Sequence, residues 1–147
     1  MKFIFKFERL LKLRKYKKEE LENQLAVLQN ELFRERENLK KLYLSLEEQY
    51  KIQTQSLSGR INITDIMAAR NYIIKLCSDI EIQKKVIIQL NEEATSKKNQ
   101  LIKAVQKVKI LEKLKEKKYK QFLKDGEIAE SYVLDEIGIN QFIKKYN

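Results

Sequence analysis

The 147-residue chain lacks proline, histidine and tryptophan, and it contains only three glycines and one cysteine. Without proline, nothing in the sequence forces a long helix to end. Without histidine, the commonest general base and metal ligand is missing, and one cysteine can form neither an internal disulfide nor a zinc cluster. We therefore expect Cys77 to be an ordinary small apolar residue, and the chain to be neither an enzyme nor a metalloprotein.

Three further features are missing. The glycines lie far apart, so there is no glycine-rich loop for a nucleotide phosphate, and we expect no bound cofactor. No apolar stretch approaches the roughly 18 residues of a membrane-spanning helix. The apolar start of the chain is interrupted by Lys6 and Glu8, too early for a signal peptide. These absences favour a soluble or peripheral protein.

Apolar side chains recur in alternating steps of three and four residues, which is the seam pattern of a coiled coil. In the first half of the chain ten of the fourteen seam positions are apolar. These positions are Ile4, Phe7, Leu11, Arg14, Lys18, Leu21, Leu25, Leu28, Leu32, Glu35, Leu39, Leu42, Leu46 and Gln49. In the second half twelve of the fourteen are apolar, and the positions are Ile66, Ala69, Ile73, Leu76, Ile80, Gln83, Ile87, Leu90, Ala94, Lys97, Leu101, Ala104, Val108 and Leu111. Two such seams joined by a short turn pair antiparallel within one chain.

A cluster of serine, threonine, asparagine and glycine between the two seams predicts the turn. We predict one all-α domain, a long antiparallel two-helix coiled-coil hairpin with an overhanging C-terminal helical segment. Its parts are helix 1 at about 3–54, the turn at about 55–64, helix 2 at about 65–124 and a tail segment at 125–147. Asn62 or Thr64 can cap helix 2, and Gly126 favours a break or kink before the tail.

Charge is distributed unevenly along the chain, whose net charge is +10. Residues 1–18 hold eight basic and one acidic side chain, and residues 97–124 hold eleven basic and two acidic. Antiparallel pairing would bring these two segments together at the open end of the hairpin. Residues 125–147 are acidic instead, with five acidic and two basic side chains. A basic end of this kind favours an acidic partner protein, a nucleic acid or an anionic membrane.

Three surface features leave alternatives open. The basic run 113–122 is either a docking surface for an acidic partner or a solvated helix face, and no base-reading motif supports nucleic acid. Tyr43, Tyr50 and Tyr72 either form a contact site or shield the seam. Phe3 and Phe7 could lie on an anionic membrane, although we favour the view that Phe7 simply begins the seam.

Four sequence motifs, in this order, resemble the FliJ family of flagellar type III export proteins. They are Phe5-Lys6-Phe7-Glu8-Arg9-Leu10-Leu11-Lys12-Leu13-Arg14, Tyr72-Ile73-Ile74-Lys75-Leu76, Glu112-Lys113-Leu114-Lys115-Glu116-Lys117-Lys118 and Leu134-Asp135-Glu136. The length, the predicted two-helix architecture and the basic charge also agree, so that the resemblance covers essentially the whole chain.

The resemblance implies a non-catalytic stalk, similar to the coiled coil of the rotary ATPase γ subunit, that docks in the hexameric export ATPase ring. It also implies contact with the cytosolic domain of the export gate protein FlhA, export chaperones as further partners, and a cytoplasmic location at the inner membrane beneath the flagellum. The positions matching the gate-contact surface are Leu39, Tyr43, Leu46, Tyr50, Tyr72, Leu76 and Gln83.

For the ATPase ring we predict a basic patch formed by Arg9, Arg14, Lys113, Lys115, Lys117 and Lys118. Two other functions are compatible with the same features. One is the equivalent stalk protein of a virulence-type secretion system. The other is a basic structural coiled coil that binds nucleic acid or a scaffold.

Overall fold

Two helices account for nearly all of the chain in the computed structural model, which describes residues 2–56, 59 and 62–146. Helix α1 is Glu8–Ser56 and helix α2 is Ile63–Tyr146. Their contacts run in opposite directions: Arg36 meets Asn91, whereas Tyr43, further along α1, meets Lys84, further back along α2. The predicted all-α antiparallel hairpin is therefore confirmed.

The chain divides into two compact units, each made from one stretch of α1 and one of α2. Unit 1 comprises Met1–Glu19 and Ile102–Asn147, and unit 2 comprises Glu20–Leu101. Antiparallel pairing gives this division naturally, because residues distant in sequence become neighbours across the two helices. A single domain over residues 1–147 stays a prediction.

The seam that the sequence predicts is where the helices bury their side chains. Every predicted seam position from Leu11 to Gln49, and from Ile66 to Leu111, is buried or half-buried. Among the described residues of unit 2, the buried hydrophobic side chains are Leu21, Leu32, Leu76 and Ile80. Burial of each such leucine or isoleucine stabilises the fold by roughly 1.5–3 kcal/mol.

The start of the chain departs from the predicted seam. Helix α1 begins at Glu8 rather than near residue 3, and Ile4 is 82% exposed while Phe5 is only 7% exposed. Phe5 packs with Leu11, Val108 and Leu111, and Phe3 packs against this cluster. In an extended segment, alternate side chains share one face, so Phe3 and Phe5 point together and Ile4 points away. We call residues 2–7 the aromatic strap.

The two helices begin in different ways. At α1, the first helical hydrogen bond joins the amide of Leu11 to the carbonyl of Phe7 at 2.9 Å. At α2, Asn62 Oδ1 accepts from the amide of Thr64 at 3.0 Å, so Asn62 is the cap of the two candidates. Much of the predicted turn, namely residues 57, 58, 60 and 61, lies outside the described residues.

Helix α2 runs beyond the predicted end near residue 124 and continues through Gly126 to Tyr146. The expected break at Gly126 is absent, because one glycine costs only about 1 kcal/mol in a helix. The surrounding lysine, glutamate, leucine and alanine residues are good helix formers. Beyond Phe122 every described residue is exposed. The end of α2 is thus a helix without a packed face in this chain.

Candidate docking surfaces

The six residues predicted for the ATPase ring all fall in unit 1. Four of them are exposed and available to a partner, namely Arg9, Lys113, Lys117 and Lys118. The other two are half-buried. The structure therefore brings the predicted set into one unit but divides it into free and engaged cations.

The two engaged cations make contacts between the helices. Arg14 Nη1 donates to the backbone carbonyl of Lys107 at 3.3 Å, and Lys115 Nζ lies 2.8 Å from Glu8 Oε2. The hydrogen bond from Lys115 lowers the pKa of the Glu8 carboxyl below its ordinary value. Because Arg14 and Lys115 already serve the fold, a partner would meet mainly the four exposed cations.

The net charge of the chain is confined to unit 1. This unit contains 19 basic and 9 acidic residues, a net of +10, whereas unit 2 contains 12 of each, a net of zero. Unit 1 therefore attracts anionic surfaces over a range of about one Debye length, and unit 2 has no such net attraction.

The seven residues predicted for the gate contact all fall in unit 2. The three tyrosines are exposed: Tyr43 by 43%, Tyr50 by 50% and Tyr72 by 43%. Leu39 and Leu46 are half-buried seam residues. The tyrosines are thus the members of the set whose side chains are most open to a partner.

Leu76 is a core residue, only 4% exposed, so its side chain does not form part of the accessible surface. The sequence had already placed it in the seam, and a seam position of an antiparallel pair is buried by the opposite helix. Leu76 can support the neighbouring surface, but a partner meets little of it.

Gln83 is likewise engaged within unit 2. Its Nε2 donates to the backbone carbonyl of Glu35 at 3.0 Å and also to the Glu35 carboxylate. Both residues occupy seam positions, and both lie 24 positions from Gly59. That symmetry is a sequence signal that could have identified the pair. A half-buried polar pair in the seam favours one register of the two helices over others.

Lys84 is a neighbour of the tyrosine surface that the sequence did not single out. Its Nζ lies 5.8 Å from the centre of the Tyr43 ring and 3.4 Å from Glu81 Oε1. Hydrogen bonding with Tyr43, and then with Glu81, raises the pKa of Lys84 above its ordinary value. The ammonium group of Lys84 thus lies beside the Tyr43 ring.

Comparison with known proteins gives the family. The model of the FliJ family, described as flagellar FliJ protein, matches residues 1–147. The chain belongs to the FliJ family. The flagellar FliJ protein of Bacillus subtilis (strain 168) is 24% identical over 147 residues, covering 97% of each chain. No solved structure matches. The family is flagellar, which favours the flagellar over the virulence-type alternative.

The FliJ-family motifs map onto defined parts of the structure. The motif Phe5–Arg14 forms the end of the aromatic strap and the start of α1, and the motif Glu112–Lys118 lies on α2 in the same unit. Tyr72–Leu76 lies in unit 2, and Leu134–Glu136 lies on the exposed end of α2. Within the described part of the chain, no helix is long and apolar enough to span a membrane.

Proposed function

We propose that this FliJ-family protein is a non-catalytic stalk of the flagellar type III export apparatus. Unit 1 docks in the hexameric export ATPase, and unit 2 contacts the cytosolic domain of the gate protein FlhA. Export chaperones are further partners. The protein acts in the cytoplasm, peripherally at the inner membrane beneath the flagellum. One observation carries the proposal: all of the net charge and the whole predicted ring set lie in unit 1.

Electrostatics supports the role of unit 1. Four exposed cations on a unit of net charge +10 would accelerate encounter with acidic side chains of the ring. Exposed charge pairs are individually weak, so the attachment is the sum of several and falls as salt rises. This suits a stalk that must bind a ring and also be released from it.

Aromatic chemistry supports the role of unit 2. This unit has no net charge, and its tyrosines present an apolar ring with a polar hydroxyl. Tyrosine is enriched among the few interface residues that dominate binding energy. A contact through Tyr43, Tyr50 and Tyr72 would therefore depend less on salt than the contact through unit 1.

The ring contact is tested by reversing the four exposed cations together, in the variant Arg9→Glu, Lys113→Glu, Lys117→Glu, Lys118→Glu. The matched control reverses four exposed lysines of unit 2, Lys40→Glu, Lys41→Glu, Lys75→Glu, Lys85→Glu. Both variants change the net charge by the same amount. We expect the first to weaken binding to the purified ATPase at least tenfold at low salt, and the control to change it by less than about threefold.

Equal losses in the two variants would mean that bulk charge, and not this patch, governs the interaction. Unchanged affinity in both would remove the electrostatic basis of the ring assignment altogether.

The gate contact is tested with the triple variant Tyr43→Ala, Tyr50→Ala, Tyr72→Ala in a pull-down with the cytosolic domain of FlhA. The matched control removes two other exposed aromatic side chains, in Tyr16→Ala, Phe33→Ala. We expect the triple variant to lose the gate domain while keeping its helical circular dichroism, and the control to retain it. A triple variant that still captures the gate domain would refute the assignment.

A further inference from the structure

The exposed end of α2 carries an apolar stripe that neither of the predicted docking sets includes. We call it the C-terminal stripe, and its side chains are between 45% and 71% exposed. Its members are Ile128, Tyr132, Ile139, Phe142 and Tyr146. Large exposed apolar patches of this kind usually mark interaction sites on proteins.

The stripe follows the spacing of a coiled-coil seam. Its members are separated by four, seven, three and four residues. At about 100° per residue they share an arc of about 80° on the helix surface. The rings of Phe142 and Tyr146 lie 4.7 Å apart between their centres, which agrees with a shared face. This face is therefore suited to another helix rather than to a flat or irregular surface.

Along most of the stripe the charges are of one sign, and the basic residues Lys144 and Lys145 lie only beside its last turn. Residues 125–143 contain five carboxylates and no basic residue, although unit 1 as a whole has a net charge of +10. Asp135 occupies the seam position that the stripe leaves open, and Glu136 borders it, whereas Glu130 faces the opposite side. All three are exposed. The stripe is thus an apolar surface with an acidic centre.

We propose that the C-terminal stripe docks an amphipathic helix of another protein whose apolar face is flanked by lysine or arginine. Apolar side chains of the partner would cover Tyr132, Ile139 and Phe142, and a basic side chain would pair with Asp135. Such a pairing matches both the spacing and the charge of the stripe.

A second copy of this chain fits the stripe less well. Parallel pairing sets Asp135 against Asp135. Antiparallel pairing that aligns Tyr132 with Phe142 sets Asp135 against Ile139 of the other copy. The first arrangement places like charges together, and the second covers a carboxylate with an apolar side chain. Neither supplies the basic group that the centre of the stripe requires.

The test uses the full-length protein and a fluorescent synthetic peptide of about three heptads, with leucine on one face and lysine on its flanks. The same peptide with glutamate in place of lysine is the charge control. We expect the lysine peptide to bind and the glutamate peptide to bind at least tenfold more weakly, as measured by fluorescence anisotropy.

Two pairs of matched variants locate the binding. Asp135→Lys should weaken binding of the lysine peptide about fivefold, because an exposed attraction becomes a repulsion. Glu130→Lys makes the same charge change on the side of the helix opposite the stripe, and it should weaken binding less than twofold. The double variant Ile139→Ser, Phe142→Ser should bind the lysine peptide at least tenfold more weakly than the wild type. The double variant Val133→Ser, Leu134→Ser should bind it less than threefold more weakly. Circular dichroism confirms equal helicity within each pair.

Three results would overturn the proposal. One is equal affinity for the two peptides. Another is equal loss within either matched pair of variants. The third is a concentration-dependent dimer of the wild-type protein in sedimentation that Ile139→Ser, Phe142→Ser abolishes, since the occupant would then be a second copy. None of these results bears on the ATPase or gate contacts, which involve other residues.

Discussion

Unit 1 and unit 2 are built from the same pair of helices, yet they differ in charge. Unit 1 has 19 basic and 9 acidic residues, and unit 2 has 12 of each. The seam positions Arg14 and Lys18 supply two of the ten net charges of unit 1, so most of the difference arises from residues outside the seam. A single helical pair can therefore carry an electrostatic surface in one stretch and a neutral aromatic surface in another.

The cores of the two units differ as well. Unit 1 closes its core with the aromatic strap, where Phe5 is buried and the Phe3 ring lies 5.3 Å from that of Tyr119. Unit 2 relies on aliphatic seam residues and on the polar pair of Glu35 and Gln83. Unit 1 is thus held by apolar contacts from a non-helical segment, and unit 2 includes a contact that selects the register.

The largest expected effect concerns the aromatic strap. Phe5→Ala should lower the free energy of unfolding by about 3–5 kcal/mol, because it removes a buried aromatic ring. Ile4→Ala, at a residue that is 82% exposed, should change it by no more than about 0.5 kcal/mol. Urea unfolding followed by circular dichroism measures both. If Ile4→Ala were the more damaging change, unit 1 would have the helical seam that the sequence predicts.

The polar pair of unit 2 gives the next effect. Gln83→Leu should lower the free energy of unfolding by about 1–3 kcal/mol, because it leaves the half-buried Glu35 carboxylate without its donor. The double variant Glu35→Leu, Gln83→Leu should recover most of this loss, since both polar groups are then replaced by apolar ones. A double-mutant cycle measured by urea unfolding gives the coupling free energy between the two side chains. Additive effects would mean that Glu35 and Gln83 do not stabilise each other.

A smaller effect is expected at the start of α2. Asn62→Ala should lower the free energy of unfolding by about 1 kcal/mol through loss of the cap, whereas Thr64→Ala should lower it by less than about 0.5 kcal/mol. The same urea experiment distinguishes them. The reverse order would make Thr64 the capping residue and would contradict the hydrogen bond from its amide to Asn62.

The smallest effect concerns Glu8 in unit 1, whose pKa is lowered by Lys115. Because the pKa of Glu8 is lowered in the folded state, its ionised carboxylate stabilises the fold at pH values above its ordinary pKa of 4.5. This contribution is lost as the pH falls through the pKa of the folded state. Glu8→Gln should therefore slightly lower the melting temperature at neutral pH. Well below pH 4.5 the two melting curves should coincide. A constant difference at all pH values would indicate that the ion pair is not its cause.

Much of this architecture could be predicted from the sequence. The seam positions from Leu11 onward, the antiparallel pairing and a cap at either Asn62 or Thr64 follow from local spacing and from backbone chemistry. The two docking sets were also predicted to lie in different regions, and they fall in different units. Their assignment to the ATPase and the gate stays a prediction.

Other features could not be read from local patterns. The sequence places Ile4 and Phe7 in the seam because heptad spacing assumes a helix, but residues 2–5 are not helical. Leu76 and Gln83 match the gate-contact positions of the family. Their burial and hydrogen bonding depend on the opposite helix, which local spacing does not include.

The sequence by itself determined two long helices, the residues of their seam, and the concentration of positive charge toward the first residues and the middle of α2. Helical periodicity and composition are local properties, so they can be read from the amino-acid sequence alone. The tertiary structure decided that Phe5 and not Ile4 closes unit 1, that Arg14 and Lys115 serve the fold, and that α2 continues through Gly126. Each of these depends on contacts between distant residues, or on a balance of about 1 kcal/mol that neighbouring residues can reverse.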